Sequence, residues 1–241
     1  MPSIAKRVAF QVGSDIFERT STFSSASNNG YYISLRPLVK PSKTSEIEFP
    51  LEWAFCGTPD NIKITQKSEN VTTQDFNFWL DTNTYLNVPN THRGEVNTTW
   101  ETWECGSLKE SGSVFPNGKS SPGVNFIELW QPMRIDKSEE VVNITGVNNG
   151  RSIVFKVDDS NYQGLVVVVG KWVQGYLSKK NDGTIKGLNF IRSVQQADES
   201  YETTFKYGSD ISKFPTNFTN LKVGEDVTVN GLAWTVVEYD A

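Results

Sequence analysis

The sequence predicts an all-β protein made of two similar barrel-like halves. Three observations carry this expectation. Apolar and polar residues alternate with period two in several segments, Gly-containing turn pairs separate those segments, and no long stretch shows a 3.6-residue apolar period. Successive side chains of a strand point to opposite faces, so such alternation marks one buried and one solvated face.

Taken in order, Asn29-Gly30 opens a strand that begins at Tyr32. Residues 47–55 (IEFPLEWAF) place bulky side chains at every second position and predict one continuous strand, with Pro50 marking an edge or a bulge because it cannot donate to a ladder. Asn117-Gly118, Asn149-Gly150 and Asp182-Gly183 punctuate further strands, and residues 201–207 (YETTFKY) alternate again. Residues 227–236 (VTVNGLAWTV) give the strongest hairpin signal, since Asn230-Gly231 readily takes the positive φ angles of a two-residue turn.

The halves repeat in order. From the opening Gly30 to Trp53 is 23 residues, and from Gly150 to Trp172 is 22; each half then closes on a strand bearing a tryptophan, Trp130 or Trp234. We therefore expect an N-terminal β domain over residues 1–140 and a C-terminal one over 141–241. Their join lies within 133–149, where Asp136-Lys137-Ser138-Glu139-Glu140 is a polar run. Barrels and sandwiches are the usual ways in which many short strands protect their edges.

A net charge of -5 disfavours nucleic acid and anionic membrane surfaces as partners. The N-terminal residues lack the apolar core of a signal peptide, and the longest apolar run, residues 165–169, is too short for membrane insertion, so a cytosolic chain is expected. In that setting Cys56 and Cys105 are read as reduced thiols, and the N-x-T sequons at Asn70, Asn97, Asn143 and Asn217 as β-rich composition.

No catalytic apparatus emerges. His92, the single histidine, lies in a loop-like run (NTHRG), no G-x-S-x-G elbow presents a serine, and one His with two isolated Cys lacks zinc-ligand spacing. Residues 112–120 have one residue too many between glycines for a phosphate loop, and Asp158-Asp159 and Glu139-Glu140 sit in turn-like runs that read as solvated charge. A non-enzyme without cofactor or metal is the expectation.

The aromatic residues of the first half carry the one binding signal. Phe78, Trp79, Tyr85, Trp100 and Trp130, with Phe76 and Trp103 nearby, either fill a barrel interior or line a pocket for a small apolar ligand. Trp100 and Trp103 are three apart, so in one strand they point to opposite faces and at most one is interior. A surface tryptophan or an open strand edge would also favour a homodimer.

Long runs of this chain resemble a fungal family. Residues 32–41 (YISLRPLVKP), 73–83 (TQDFNFWLDTN) and 85–100, with the later 128–132 (ELWQP), 187–192 (GLNFIR) and 230–234 (NGLAW), resemble the budding-yeast HRI family, named for association with a casein-kinase-I-type protein kinase. The resemblance spans essentially the whole chain and departs at 43–47, 57–70, 108–123 and 133–149. It implies two tandem lipocalin-like (calycin-like) antiparallel barrels, residence in cytoplasm and nucleus, and contacts with that kinase and with a subunit of the endoplasmic-reticulum translocation complex. It implies no enzyme activity. On this reading the chain is a non-enzymatic interaction protein, with binding of a small apolar ligand in a barrel cavity as the alternative.

Overall fold

The structure is a computed structural model that describes residues 1–146, 148 and 150–240. The first half contributes β1 (Ser3–Val12), β2 (Asp15–Phe17), β3 (Phe23–Ala26), β4 (Tyr32–Pro37), a short helix α1 (Thr44–Glu48), β5 (Leu51–Gly57), β6 (Ile62–Ser68), β7 (Val71–Phe76), β8 (Leu80–Asp81), the single turn α2 (Thr82–Tyr85), β9 (Val96–Thr102), β10 (Leu108–Val114) and β11 (Val124–Pro132). The second contributes β12 (Ser152–Asp158), β13 (Tyr162–Val169), β14 (Trp172–Lys179), β15 (Leu188–Gln195), β16 (Tyr201–Tyr207), β17 (Asp226–Val229) and β18 (Leu232–Asp240). The fold is all-β, as the alternation predicts.

Strands β1–β11 form one antiparallel sheet in the order β6-β7-β9-β10-β11-β1-β3-β4-β5-β8, with β2 added at β1. Its ends, β6 and β8, do not pair with each other among the described residues, so the sheet is a curled half-barrel. Strands β12–β18 form a second sheet, ordered β16-β15-β14-β13-β12-β18-β17. Their hairpin β17–β18 turns at Asn230 (φ 46°) and Gly231 (φ 79°), the conformation that Asn-Gly predicts. Residues 201–207 form β16 as expected, whereas Asn149 of the Asn149-Gly150 signal lies outside the described residues.

One expected strand is corrected. Residues 47–55 are not one strand: Ile47 and Glu48 end helix α1, and β5 starts only after Pro50. Local hydrogen bonding overrides the alternation, because Glu46 accepts from the Ser42 and Lys43 amides and pairs with Arg19 at 2.9 Å, which closes a helical turn.

The two sheets meet face to face. On β4, Ile33 and Leu35 point outward from the half-barrel and pack with Ala54 and Cys56 of β5 against Val154, Leu165, Val167, Trp172 and Tyr176 of the second sheet. Their neighbours Ser34 and Arg36 point the other way, into the half-barrel. The far face of the second sheet is filled by its own core, with Phe155, Phe214, Phe218, Trp234 and Val236 buried together. Buried polar clamps fix the joint: Glu238 accepts from Ser27 Oγ (2.6 Å), Ser152 Oγ (2.5 Å) and the Asn28 and Asn29 amides, while Arg192 donates to the Ser21 and Leu35 carbonyls at 2.8 Å each.

Candidate functional site

The concave face of the half-barrel encloses a cavity of about 660 Å³, within the range of small-molecule sites. Period-two alternation builds its wall. On β11 the inward positions are Phe126, Glu128 and Trp130, on β10 they are Glu110, Gly112 and Val114, and on β9 they are Val96, Thr98 and Trp100. Gly112 faces Phe126 across the ladder; a Cβ there would sit 3.0 Å from the ring, so glycine makes room for the aromatic. On β1 a bulge between Arg7 and Ala9 shifts the register, which lets Arg7 and Phe10, three apart, face the same interior. The Arg7 guanidinium accordingly lies 4.7 Å from the Phe10 ring centre.

All five aromatic residues singled out from the sequence line this cavity. Trp130 is buried and stacks on Trp100 at 6.1 Å between ring centres. Phe78 packs on Phe55 at 4.4 Å and on Trp53 at 5.2 Å, and lies parallel to Phe76. Trp79 and Tyr85 sit where the half-barrel meets the second sheet: Lys156 lies 4.7 Å from the Trp79 ring, and the Tyr85 hydroxyl donates to the Lys179 carbonyl at 2.7 Å. Trp103 follows β9 in a turn and is exposed, the outward partner of the Trp100 pair.

The segment from Phe76 to Tyr85 closes the open side of the half-barrel. Asp81 caps α2 by accepting from the Asn83 and Thr84 amides and also accepts from Trp53 Nε1, tying this segment to β5. His92 lines the cavity too, but its ring is occupied locally: Nδ1 accepts from the Phe115 amide at 2.9 Å and Nε2 contacts the Glu95 carbonyl at 3.0 Å. It positions a loop at the rim.

The floor is a charged network that sequence reasoning missed. Arg7, fully buried, donates to Glu18 (2.6 Å), Glu52 (2.8 Å) and Glu128 (2.7 Å); Arg36 donates to Glu128 at 2.6 and 3.3 Å. Burial works against charge on Glu128, but Arg36 and Arg7 outweigh it and hold that carboxyl below its usual range. Its cross-strand neighbour Glu110 is pushed well up, first by burial and then by the Glu128 charge, while Trp130 Nε1 donates to it at 3.0 Å. The two facing carboxyls are thus pushed in opposite directions, Glu110 toward its neutral form and Glu128 toward its ionised form. The signal in the sequence was parity: Glu128 shares the face of Phe126 and Trp130, where a charge survives only with a partner.

Two buried donors on the cavity wall have no hydrogen-bond partner among the described residues: Arg36 Nε and the Tyr176 hydroxyl. Both side chains are more than nine-tenths buried. The Arg36 guanidinium lies over the Trp53 and Phe55 rings, 4.9 and 5.4 Å from their centres. The described residues hold no cluster of three metal-ligating side chains and no helix long and apolar enough to cross a membrane.

Residues 3–238 match the sequence model of the family described as Protein HRI1. The chain is 52% identical to Protein HRI1 of Vanderwaltozyma polyspora, covering 99% of each chain, and 53% identical to Protein HRI1 of Saccharomyces cerevisiae, covering all of both. A crystal structure of an uncharacterized Saccharomyces cerevisiae protein, YLR301w, superposes with a TM-score of 0.98 at 51% identity over the full length of both chains. The chain belongs to the HRI1 family.

Proposed function

We propose that this protein binds a small, largely apolar molecule inside the half-barrel, in the manner of a lipocalin-like fold. The observation that carries the reading is the cavity of about 660 Å³, walled by Phe76, Phe78, Trp79, Trp100 and Trp130. A protein stabilised only by burial gains from filling such a space with its own side chains, because voids cost packing energy. Retaining aromatic walls around a volume of ligand size fits binding. Native mass spectrometry of gently purified protein tests this directly. A reproducible added mass lost on denaturation supports it; bare protein that also fails to take up apolar aromatic compounds removes it.

A second reading, a partner-binding protein for a casein-kinase-I-type kinase or a translocation-complex subunit, is supported by membership of the HRI1 family and by exposed apolar side chains near sheet edges, among them Ile16 on β2 and Ile64 on β6. Reciprocal capture with the kinase tests it, with loss on Ile64→Lys as the expected result. The two readings use different surfaces.

A further inference from the structure

Taken as a ligand site, the half-barrel is short of positive charge. Arg7 and Arg36 are the two guanidiniums of its floor, and they are shared among Glu18, Glu52 and Glu128. A fourth carboxyl, Glu110, faces Glu128 across the ladder, and a fifth, Asp81, lies on the cavity wall. Burial and the Glu128 charge push Glu110 toward its neutral form, but the other four carboxylates still outnumber the two guanidiniums. In a cavity of low dielectric such an excess is screened far less than at the surface, so it repels an anionic ligand, gains nothing from a neutral one and favours a cation.

Glu52 is where that excess can be reached. The register shift between Arg36 and Pro37 leaves it as the extra residue of β5, and it turns to the interior with Trp53. Its side chain is 28% exposed; Oε2 accepts from Arg7 at 2.8 Å, while Oε1 is not buried and accepts from no group among the described residues. The aromatic wall offers the second attraction. Arg36 already stands over Trp53 and Phe55, and Lys156 over Trp79, but among the described residues no Lys or Arg stands over Phe76, Phe78 or Trp100. These three rings are half-buried and line the cavity, and Trp100 is directly opposite Glu110 on the ladder. The face of an aromatic ring attracts a cation, most strongly where water is excluded, and a methylated ammonium group needs no hydrogen-bond partner there.

We infer that the half-barrel takes an organic cation, its methylated ammonium group drawn to Glu52 and its flat apolar body held by the open faces of Phe76, Phe78 and Trp100. This rests on the cavity reading of the preceding subsection, and the experiment separates the two. Equilibrium dialysis of the full chain near neutral pH compares 2-naphthyltrimethylammonium with 2-tert-butylnaphthalene, its uncharged isostere, and with 2-naphthoate. The cation binds about tenfold more tightly than the isostere, the worth of a cation set among ring faces away from water, and the anion binds most weakly. In Glu52→Gln the cation loses that advantage while the affinity of the isostere is unchanged, whereas a general loss of structure would weaken both alike. Because the ligand series is run on unaltered protein, the inference stays falsifiable even where that variant does not fold. Isostere or naphthoate binding as tightly as the cation, or a cation preference that persists in folded Glu52→Gln, overturns the cation inference and leaves the cavity reading standing. Binding of none of the three overturns both.

Discussion

Glu110 and Glu128 stand opposite each other on neighbouring strands, yet removing their charges has unlike consequences. Glu128→Gln leaves Arg7 and Arg36 without the carboxylate that accepts three of their hydrogen bonds, at 2.7, 2.6 and 3.3 Å. Breaking a buried ion pair by neutralising one partner costs about 3–5 kcal/mol. At about 2–4 °C per kcal/mol for a chain of this length, the melting temperature falls by about 6–20 °C. Glu110→Gln replaces a carboxyl that burial and the Glu128 charge push toward its neutral form with a neutral isostere, and its amide oxygen keeps the bond from Trp130 Nε1, so the change near pH 5 stays within about 1 kcal/mol. The pH dependence adds a second contrast. Glu110 is raised above its usual 4.5, so its contribution is complete below that pH and is lost as pH rises through the folded-state value; relative to wild type, Glu110→Gln gains stability on going alkaline. Glu128 is lowered, so its contribution is present above 4.5 and is lost on acidification. The penalty of Glu128→Gln therefore shrinks as pH falls. Urea denaturation of wild type and both variants from pH 4 to 9 reads all of this. Equal penalties for the two variants, or a Glu110→Gln defect that grows with pH, would refute the assignment of charge at the cavity floor.

Other expectations follow from the joint and the thiols. Glu238→Ala removes an acceptor shared by Ser27, Ser152 and two amides between the sheets; calorimetry should show destabilisation by about 3 kcal/mol or more, and a change within 1 kcal/mol would argue against the clamp. Gly170→Ala puts a Cβ 2.2 Å from the Ile135 carbonyl oxygen at a φ of +56°, so it should lower stability by more than about 2 kcal/mol, measured by the same denaturation. Cys56 is buried, and burial raises its thiol, whereas exposed Cys105 is lowered by hydrogen bonds from Ser107. Ellman titration should therefore find one fast thiol in native protein and two after unfolding; two fast thiols in the native state would contradict the packing of β5 against the second sheet.

The strand content, the Asn230-Gly231 hairpin and the aromatic wall were legible because they depend on parity and on local turn chemistry. Phe126, Glu128 and Trp130 sit at every second position of one strand, and that spacing alone places them on one face. What was not legible is long-range. The partners of Glu128 are Arg7 and Arg36, 121 and 92 residues away, and nothing in the local pattern pairs them. The bulge in β1 that turns Arg7 and Phe10 to the same side is likewise invisible until β11 sets the register. The tandem repeat suggests equal halves, yet the first sheet has eleven strands and the second seven, and the 58–85 region of the first supplies β6, β7, β8 and the segment along the cavity. Helix α1 escaped because its cap comes from Glu46, whose geometry competes with an otherwise convincing alternation.

The claim that the half-barrel holds a ligand is tested most directly by titrating the protein with 1-aminoanthracene, an apolar fluorophore, beside a variant in which Val114→Trp fills part of the cavity wall. The account predicts saturable one-to-one enhancement of fluorescence for wild type and a loss of at least tenfold in affinity for the folded variant. Enhancement that never saturates, or equal affinity in both proteins, would place the probe elsewhere and contradict the account.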